Sequence, residues 1–206
     1  MDFITLDFET ATPERNSPCE VGLTFVQNGQ ITGTQAWLIK PKSYPYFNSF
    51  NIAVHGIQPK EVAHAPEFDQ LWQELKPLLQ NQLVIAHNAS FDMSVLRATL
   101  TSYQLPFPEL NYACSVQFSK QVWQGLPQYD LKSLCNRHQI KFHHHRAASD
   151  SLACAELTLR ALEQTQCSQL ADFPEKLKIN FGRLYDGGYT ASSARKAPKK
   201  KQPFPY

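Results

Sequence analysis

The sequence predicts an α/β domain in which helices pack on both faces of a mixed central sheet. The first forty residues contain three alternating segments rich in β-branched and aromatic residues. Two of these segments are joined by Asn28-Gly29, a pair typical of tight β-hairpins. Further along, the short apolar run 83–87 is typical of a buried parallel strand, and helical patterns follow it. An antiparallel start that leads into alternating strands and helices is characteristic of a mixed sheet.

In chain order, the predicted elements begin with an antiparallel meander of three strands. Alternation of apolar and polar residues places these strands at 2–8, 20–27 and 31–39. The segment 41–54 is predicted to be irregular because it contains two prolines and several aromatic residues. A short helix with a turn is expected within 55–66.

The rest of the chain alternates between helices and strands. A strand is expected at 111–116, besides the apolar run at 83–87. Helices are predicted over 67–79, 90–100, 115–123, 130–138 and 147–164. Ser90 is predicted to cap the second of these helices, and Pro77 to fray or kink the end of the first.

Length and composition indicate one domain with an extension. The chain has 206 residues, of which 42% are hydrophobic and 18% charged, so a packed core is expected. We predict one domain over 1–165 and a C-terminal extension over 166–206. No apolar run approaches the roughly 20 residues of a membrane span, and the N-terminus shows no secretion signal, so no membrane association is expected.

The cysteines favour a reducing environment. There are five of them, an odd number, and no two have C-x-x-C spacing. This pattern disfavours both a disulfide framework and a thiolate zinc site. Reduced thiols in a cytoplasmic protein are the better interpretation.

The C-terminal tail, 190–206, carries a strong positive charge. It contains five basic residues and no acid, whereas the rest of the chain has fifteen basic and eighteen acidic residues. The five are Arg195, Lys196, Lys199, Lys200 and Lys201. Such a tail is expected to be flexible, because it cannot bury enough apolar surface to fold alone. It is either a solvated end or an electrostatic tether to phosphate.

Two carboxylates interrupt the first predicted strand. Asp7 and Glu9 lie two residues apart, so both point to the same face of a strand. Their neighbours Ile4, Leu6 and Phe8 are apolar, which makes a solvated face a poor explanation. Two like charges in a buried setting repel each other, and a divalent cation such as Mg²⁺ or Mn²⁺ would remove that cost.

Two further acidic positions occur later in the chain. Asp92 falls in the first turn of a helix that follows a buried strand, where ligand sites of α/β sheets collect. It could equally be an acid placed favourably at a helix start. Asp150 follows His145 by five residues. The run of three histidines ending at His145 is a poor zinc site, because adjacent side chains of an extended segment point in opposite directions.

Taken in order, these motifs resemble the DEDDh exonucleases, the family of polymerase proofreading subunits, RNase T and oligoribonuclease. The matching segments are DFET at 7–10, AHNASFD at 86–92 and HRAASD at 145–150. The resemblance implies an RNase H-like fold with a mixed five-stranded sheet. It also implies that Asp7, Glu9, Asp92 and Asp150 hold two divalent cations, Mg²⁺ or Mn²⁺, and that His145 is the general base. Tyrosine-type relatives carry Tyr where this chain has Arg146, which favours the histidine type.

The resemblance also points to residues that bind substrate. Phe8, Glu9 and Thr10 take the place of the segment that contacts the 3′-terminal nucleotide. His55, in VHGI at 54–57, either lines the nucleotide pocket or serves as a core or capping histidine. Asn88 either caps locally or contacts phosphate. Phe91 either packs in the core or stacks on a base.

The function implied is that of a metal-dependent 3′→5′ exonuclease that acts on single-stranded or frayed DNA ends and releases nucleoside monophosphates. The long first hairpin and VHGI look more like the proofreading group, which favours DNA over RNA. Trimming of RNA 3′ ends is the close alternative, and a non-catalytic nucleic-acid-binding module is a weaker one. A polymerase partner bound through the C-terminal segment is compatible with the first reading.

Overall fold

The computed structural model describes residues 1–141 and 145–195. Its main sheet has seven strands in the order β3-β2-β1-β4-β5-β7-β8, and β6 and β9 form a separate pair. The strands are β1 (Phe3–Thr10), β2 (Pro18–Gln27), β3 (Gln30–Leu38), β4 (Leu83–Ala86), β5 (Leu110–Cys114), β6 (Ile179–Asn180), β7 (Gly182–Tyr185), β8 (Gly188–Thr190) and β9 (Ser193–Ala194). The helices are α1 (Ser49–His55), α2 (Phe68–Leu79), α3 (Ala89–Ser102), α4 (Ser115–Val122), α5 (Leu131–His138), α6 (Ala147–Gln164) and α7 (Phe173–Lys176).

The predicted meander and mixed sheet are confirmed. Strands β1, β2 and β3 are antiparallel neighbours, and Asn28 and Gly29 turn the hairpin with positive φ angles of 53° and 75°. Strand β4 pairs in parallel with β1, and β5 pairs in parallel with β4. The carboxyl ends of these parallel strands therefore meet at one edge of the sheet, beside the start of α3.

The sheet has two more strands than the five that were predicted. Strand β7 pairs antiparallel with β5, and β8 returns along β7. Both strands come from the C-terminal extension, whose Phe173 and Leu177 are fully buried in the same cluster as Phe118 of α4. The turn between β7 and β8 contains Gly187 with φ 79°. The Asp-Gly pair at this turn is a sequence pattern typical of a β-hairpin.

The charged tail coincides only partly with the described residues. Thr190 ends β8, and Ser193–Ala194 pairs with β6, so the first part of the tail forms short strands. Arg195 donates to Glu175. The other four basic residues of the tail, which lie within 196–206, are outside the described residues, and the choice between solvated end and tether stays a prediction.

Two local predictions were wrong. The segment expected to be irregular contains α1, which is capped by the side chain of Asn48 and ends at Gly56 with φ 78°. Ser90 is not the cap of α3: that helix starts one residue earlier, after Asn88 in the left-handed region with φ 68°. Ser90 instead donates its hydroxyl hydrogen to the Asn88 side chain (3.1 Å).

The faces of β1 separate the core from the polar residues. Ile4, Leu6 and Phe8 point to one face, where they pack with α2 and α3. The opposite face carries Thr5, whose hydroxyl donates to the carbonyl of Ser151 in α6 (2.6 Å). Long helix α6 thus lies against the face of β1 that also carries the two acids.

Close packing at Gly22 fixes the position of α6. A Cβ atom at Gly22 of β2 would lie 2.1 Å from the carbonyl oxygen of Ala147, so the first turn of α6 rests directly on the strand backbone. Gly22 stands opposite Asp7 in the sheet. The absence of a side chain at this position therefore lets α6 approach the acids of β1.

The five cysteines are free and buried. In the described part of the chain, no helix has the length and apolarity needed to cross a bilayer.

Candidate active site

Asp7 and Glu9 share the face of β1 that looks toward α6, as the alternation of the strand predicts. Glu9 is only 9% exposed. It stands directly opposite Glu20 of β2, and Asp7 stands opposite Gly22. The two predicted ligands therefore lie side by side in a confined space between the sheet and α6.

Asp92 reaches the same region from α3. It occupies the first turn of that helix and is 1% exposed. Its Oδ1 accepts a hydrogen bond from the backbone N–H of Phe8 (3.0 Å). Because Phe8 lies between Asp7 and Glu9 on β1, this bond ties the third carboxylate to the strand that carries the first two.

Asp150 of α6 and His145, two residues before that helix, complete the arrangement. Asp150 lies in the first turn of α6 and is 4% exposed, and its Oδ2 accepts from the backbone N–H of His145 (2.7 Å). Ligand-type atoms of Glu9, His145 and Asp150 all lie within 4.8 Å of one another. The other two histidines of the run, at 143 and 144, lie outside the described residues.

The carboxyl groups are in an environment that opposes their ionisation. Burial, followed by repulsion from Asp92, Glu9 and Asp150, raises the pKa of Asp7 well above its usual value. Burial and the neighbouring Asp150 and Glu20 raise the pKa of Glu9 to about 8. Burial likewise raises the pKa of Asp92 to about 8, although its bond from Phe8 acts in the opposite direction.

This chemistry fits a divalent cation. Clustered carboxylate oxygens are the hard ligands that Mg²⁺ and Mn²⁺ prefer. A cation among them would lower the cost of keeping several buried carboxylates ionised. This set of carboxylate ligands therefore suits the metal that the sequence predicts.

A cavity of about 620 Å³ opens onto these residues. One wall is formed by Asp7, Glu9, His145 and Asp150. The opposite wall comes from α4 and from 127–131, which precedes and begins α5. Its size falls in the range of small-ligand sites, so a nucleotide can be accommodated beside the acids.

The model of the exonuclease family matches residues 4–158, about three quarters of the chain, and all five residues of the acidic site fall inside the match. This chain belongs to the exonuclease family. The predicted resemblance is thereby confirmed, and family membership implies a dependence on divalent cations.

Individual relatives agree with the family assignment. The chain is 27% identical over 168 residues to the DNA polymerase III PolC-type of Caldanaerobacter subterraneus subsp. tengcongensis. The alignment covers 80% of this chain and 12% of that protein. It is 28% identical over 167 residues to the 3′-5′ exonuclease DinG of Bacillus subtilis, covering 79% of this chain and 18% of that protein. The exonuclease chain thus spans less than a fifth of these two relatives.

A solved structure shows the same fold. Exonuclease X in complex with 5′ overhanging duplex DNA superposes with a TM-score of 0.69 and 21% identity, covering 85% of this chain and 99% of that one. The RNase H-like α/β fold expected for the exonuclease is therefore confirmed, with the strand count corrected as above.

Besides Glu9, three of the residues predicted to bind substrate line the cavity of the exonuclease. They are Phe8, Asn88 and Phe91. The Phe8 side chain is 2% exposed and packs in the core, and its N–H is used by Asp92, so only the rest of its backbone can meet a nucleotide. Asn88 is exposed and accepts from Ser90. Phe91 is half-buried, so it both packs on the core and reaches the cavity.

Thr10 and His55 lie deeper than the predicted nucleotide pocket, and neither is among the residues that line the cavity. Nδ1 of His55 accepts from the N–H of Ile57 (3.0 Å), which leaves Nε2 to donate to the Thr10 carbonyl (3.2 Å). Asn51 donates to that same carbonyl (2.8 Å). His55 thus holds the end of β1 in place, which supports its structural interpretation, while direct contact with a nucleotide stays a prediction.

Glu20 and Arg146 form a brace that the sequence reasoning missed. Glu20 is 3% exposed and accepts from Arg146 at 2.8 and 3.3 Å and from the backbone N–H of Ala147 at 2.9 Å. This bidentate pair ties β2 to the residues between His145 and α6. The sequence does contain one sign of a special role for Glu20, because this acid interrupts an apolar strand in the same way as Asp7 and Glu9.

Proposed function

We propose that this domain removes nucleotides one at a time from the 3′ ends of single-stranded or frayed DNA, releasing nucleoside monophosphates. The observation that carries the proposal is the convergence of Asp7, Glu9, Asp150 and His145 at one cavity, with Asp92 bonded to the backbone of the same strand at Phe8, within a chain of the exonuclease family. This combination suits hydrolysis of a phosphodiester, which needs an activated water and a stabilised leaving oxygen.

The four carboxylates would hold the cations, Mg²⁺ or Mn²⁺, for which we propose a count of two. Bound cations supply activation of the attacking water and neutralisation of charge on the leaving 3′-oxygen. Asp92 and Asp150 are held in place by bonds from the backbone of Phe8 and of His145. The cation ligands are thus positioned before substrate arrives.

His145 would act as the general base. A histidine suits this role because its ordinary pKa lies near neutrality. Its backbone is tied to Asp150, and the next residue, Arg146, is tied to Glu20. These bonds fix the segment that presents the imidazole to the cavity, where it would accept the proton of the attacking water.

Substrate would enter with its 3′ end in the cavity. Phe91 offers a ring at the wall of the cavity, and Asn88 an exposed amide at its edge. Glu9 and the backbone of Phe8 and Thr10 would contact the terminal nucleotide, with His55 behind them. Aromatic rings and backbone groups bind bases of any sequence, which suits an exonuclease that must process every end.

The test uses a 5′-labelled single strand with Mg²⁺ or Mn²⁺. We expect a ladder that shortens from the 3′ end, absent with EDTA and in Asp150→Asn, whereas Asp172→Asn on an exposed turn retains it. A matched RNA strand measures the preference: faster cleavage of RNA would assign the domain to RNA trimming. No cleavage of either strand with either metal would favour a non-catalytic binding module.

A polymerase partner is a further part of the proposal. Its support is the similarity to a PolC-type polymerase, of which this chain matches only a small part. The C-terminal segment would make the contact. In a pull-down, we expect the His145→Ala variant to recover a polymerase and the variant that lacks 196–206 to recover none. If neither variant recovers a polymerase, this part of the proposal is refuted.

A cytoplasmic setting is also proposed, and the buried free thiols suit it.

A further inference from the structure

A second groove runs along α3 next to the catalytic cavity. It has a volume of about 840 Å³ and is bounded by α3, by residues 14–16 after β1 and by the β7–β8 hairpin. We call it the α3 groove. None of the motifs that define the catalytic site lies in it, so its lining needs a separate explanation.

The α3 groove borders the catalytic cavity. Phe91 lines the cavity, and the guanidinium of Arg15, which lines the groove, sits 4.3 Å from the centre of the Phe91 ring. The part of α3 that lines the groove runs from Ser94 to Ser102 and starts one turn after Phe91. From Phe91 to Ser102 the helix rises by about 16 Å, at about 1.5 Å for each residue. This length matches about five phosphates of a stacked strand at about 3.4 Å each.

The charges in the groove suit a polyanion. Arg15 and Arg97 line it against a single acid, Glu14. Among the described residues, neither guanidinium is within ion-pair distance of a carboxylate. At the far end, Lys42 donates to the carbonyl of Ser102, which adds a third positive charge.

An aromatic side chain accompanies these cations. Tyr189 in β8 lines the groove and is 50% exposed. The Arg97 guanidinium lies 3.6 Å from the ring centre, so each side chain fixes the other in place. A cation beside an exposed aromatic ring is the combination that single-strand binding surfaces use for phosphate and base.

We propose that the α3 groove binds the part of the substrate strand that leads away from the scissile end. This inference rests on the proposed function and adds a second subsite to it. Arg97 and Arg15 contact backbone phosphates, and Tyr189 stacks on a base. The contacts are independent of sequence, so they raise affinity for long single strands without selecting particular bases.

The experiment compares two substrates that differ in length. The dinucleotide TpT has one phosphodiester and occupies the catalytic cavity alone, whereas a twelve-residue oligothymidylate also reaches the groove. The variants are Arg97→Ala and Tyr189→Ala, with Tyr189→Phe as the conservative change that keeps the ring. Arg160→Ala is the matched control, because Arg160 is exposed on α6 and pairs with Glu163.

We expect Arg97→Ala and Tyr189→Ala to lower kcat/KM about tenfold for the twelve-mer and less than twofold for TpT. Tyr189→Phe and Arg160→Ala should stay within twofold of the unaltered protein on both substrates. Binding of the twelve-mer, followed by fluorescence anisotropy without divalent cations, should lose about 0.7 from its salt slope in Arg97→Ala.

Equal losses on both substrates, or no loss on either, would overturn the proposal. An unchanged salt slope would do the same, and would leave the groove to a protein partner. If the unaltered protein cleaves neither substrate, the proposed function fails, but the anisotropy measurement still decides whether the groove binds the strand.

Discussion

Gly22 is the point where β2 touches the first turn of α6, and Gly22→Ala tests whether this contact sets the geometry of the active site. The added Cβ would lie 2.1 Å from the Ala147 carbonyl oxygen and 2.5 Å from the Ala148 nitrogen. Contacts below 3.0 Å are not tolerated, so the start of α6 must retreat by about 1 Å. Asp150 and His145 would move away from Glu9 with it.

A displacement of about 1 Å in a catalytic group costs about 100-fold in rate. We therefore expect Gly22→Ala to lower the single-turnover rate on a 5′-labelled strand about 100-fold. Overpacking should also lower the free energy of unfolding by about 1–3 kcal/mol, which leaves the domain folded. Circular dichroism and a thermal melt would confirm the fold of the variant.

The control is Gly33→Ala in β3. A Cβ at Gly33 meets no atom within 4 Å, and its backbone does not require a positive φ. This variant should retain full activity. A folded Gly22→Ala protein whose rate stays within threefold of the unaltered protein would refute the claim that the closeness of β2 and α6 positions the acids.

Three further predictions concern charge and packing. Without divalent cations, the free energy of unfolding should fall from pH 4.5 to 7, because the raised pKa values of Asp7, Glu9 and Asp92 keep protons on these groups in the folded state. The pKa of Glu9 is about 8, so Glu9→Gln should remove about 3 kcal/mol of this fall in urea titrations. A Glu9→Gln protein with the unaltered slope would contradict this origin. Glu20→Gln should lower kcat more than it raises KM and should lower the free energy of unfolding by about 2 kcal/mol, because it weakens the bonds to Arg146 and Ala147. The control Glu109→Gln, on the surface, should change neither the kinetics nor the stability. Equal behaviour of the two variants would contradict the proposed role of the brace. Leu184→Ala in β7 should cost about 2–5 kcal/mol in a single cooperative transition, and a separate early transition would show that the extension folds apart from the sheet.

The placement of the candidate active-site residues could be predicted because their signals are local. The shared face of Asp7 and Glu9 follows from the two-residue period of a strand, whatever the rest of the chain does. Asp92 was placed correctly because it follows a buried strand by a short turn. The spacing of His145 and Asp150 likewise belongs to one short segment, which the structure closes with a single hydrogen bond.

Features that depend on distant partners could not be predicted in the same way. Glu20 and Arg146 are 126 residues apart, and only the packing of α6 on β2 brings them together. Strands β7 and β8 are only four and three residues long, so alternation gave a weak signal, and their stability comes from pairing at the β5 edge. The start of α3 was misplaced because the left-handed backbone of Asn88, rather than a side-chain cap, ends the preceding turn.

The most direct test of the central claim is the identity of the first product. A single strand labelled at its 3′-terminal nucleotide would be incubated with the protein and Mg²⁺, and the label followed by chromatography from the earliest times. We predict that the label leaves first, as a nucleoside 5′-monophosphate, and that Asp92→Asn abolishes its release. Release of the label within a longer fragment, or only after the rest of the strand is degraded, would contradict a 3′→5′ exonuclease.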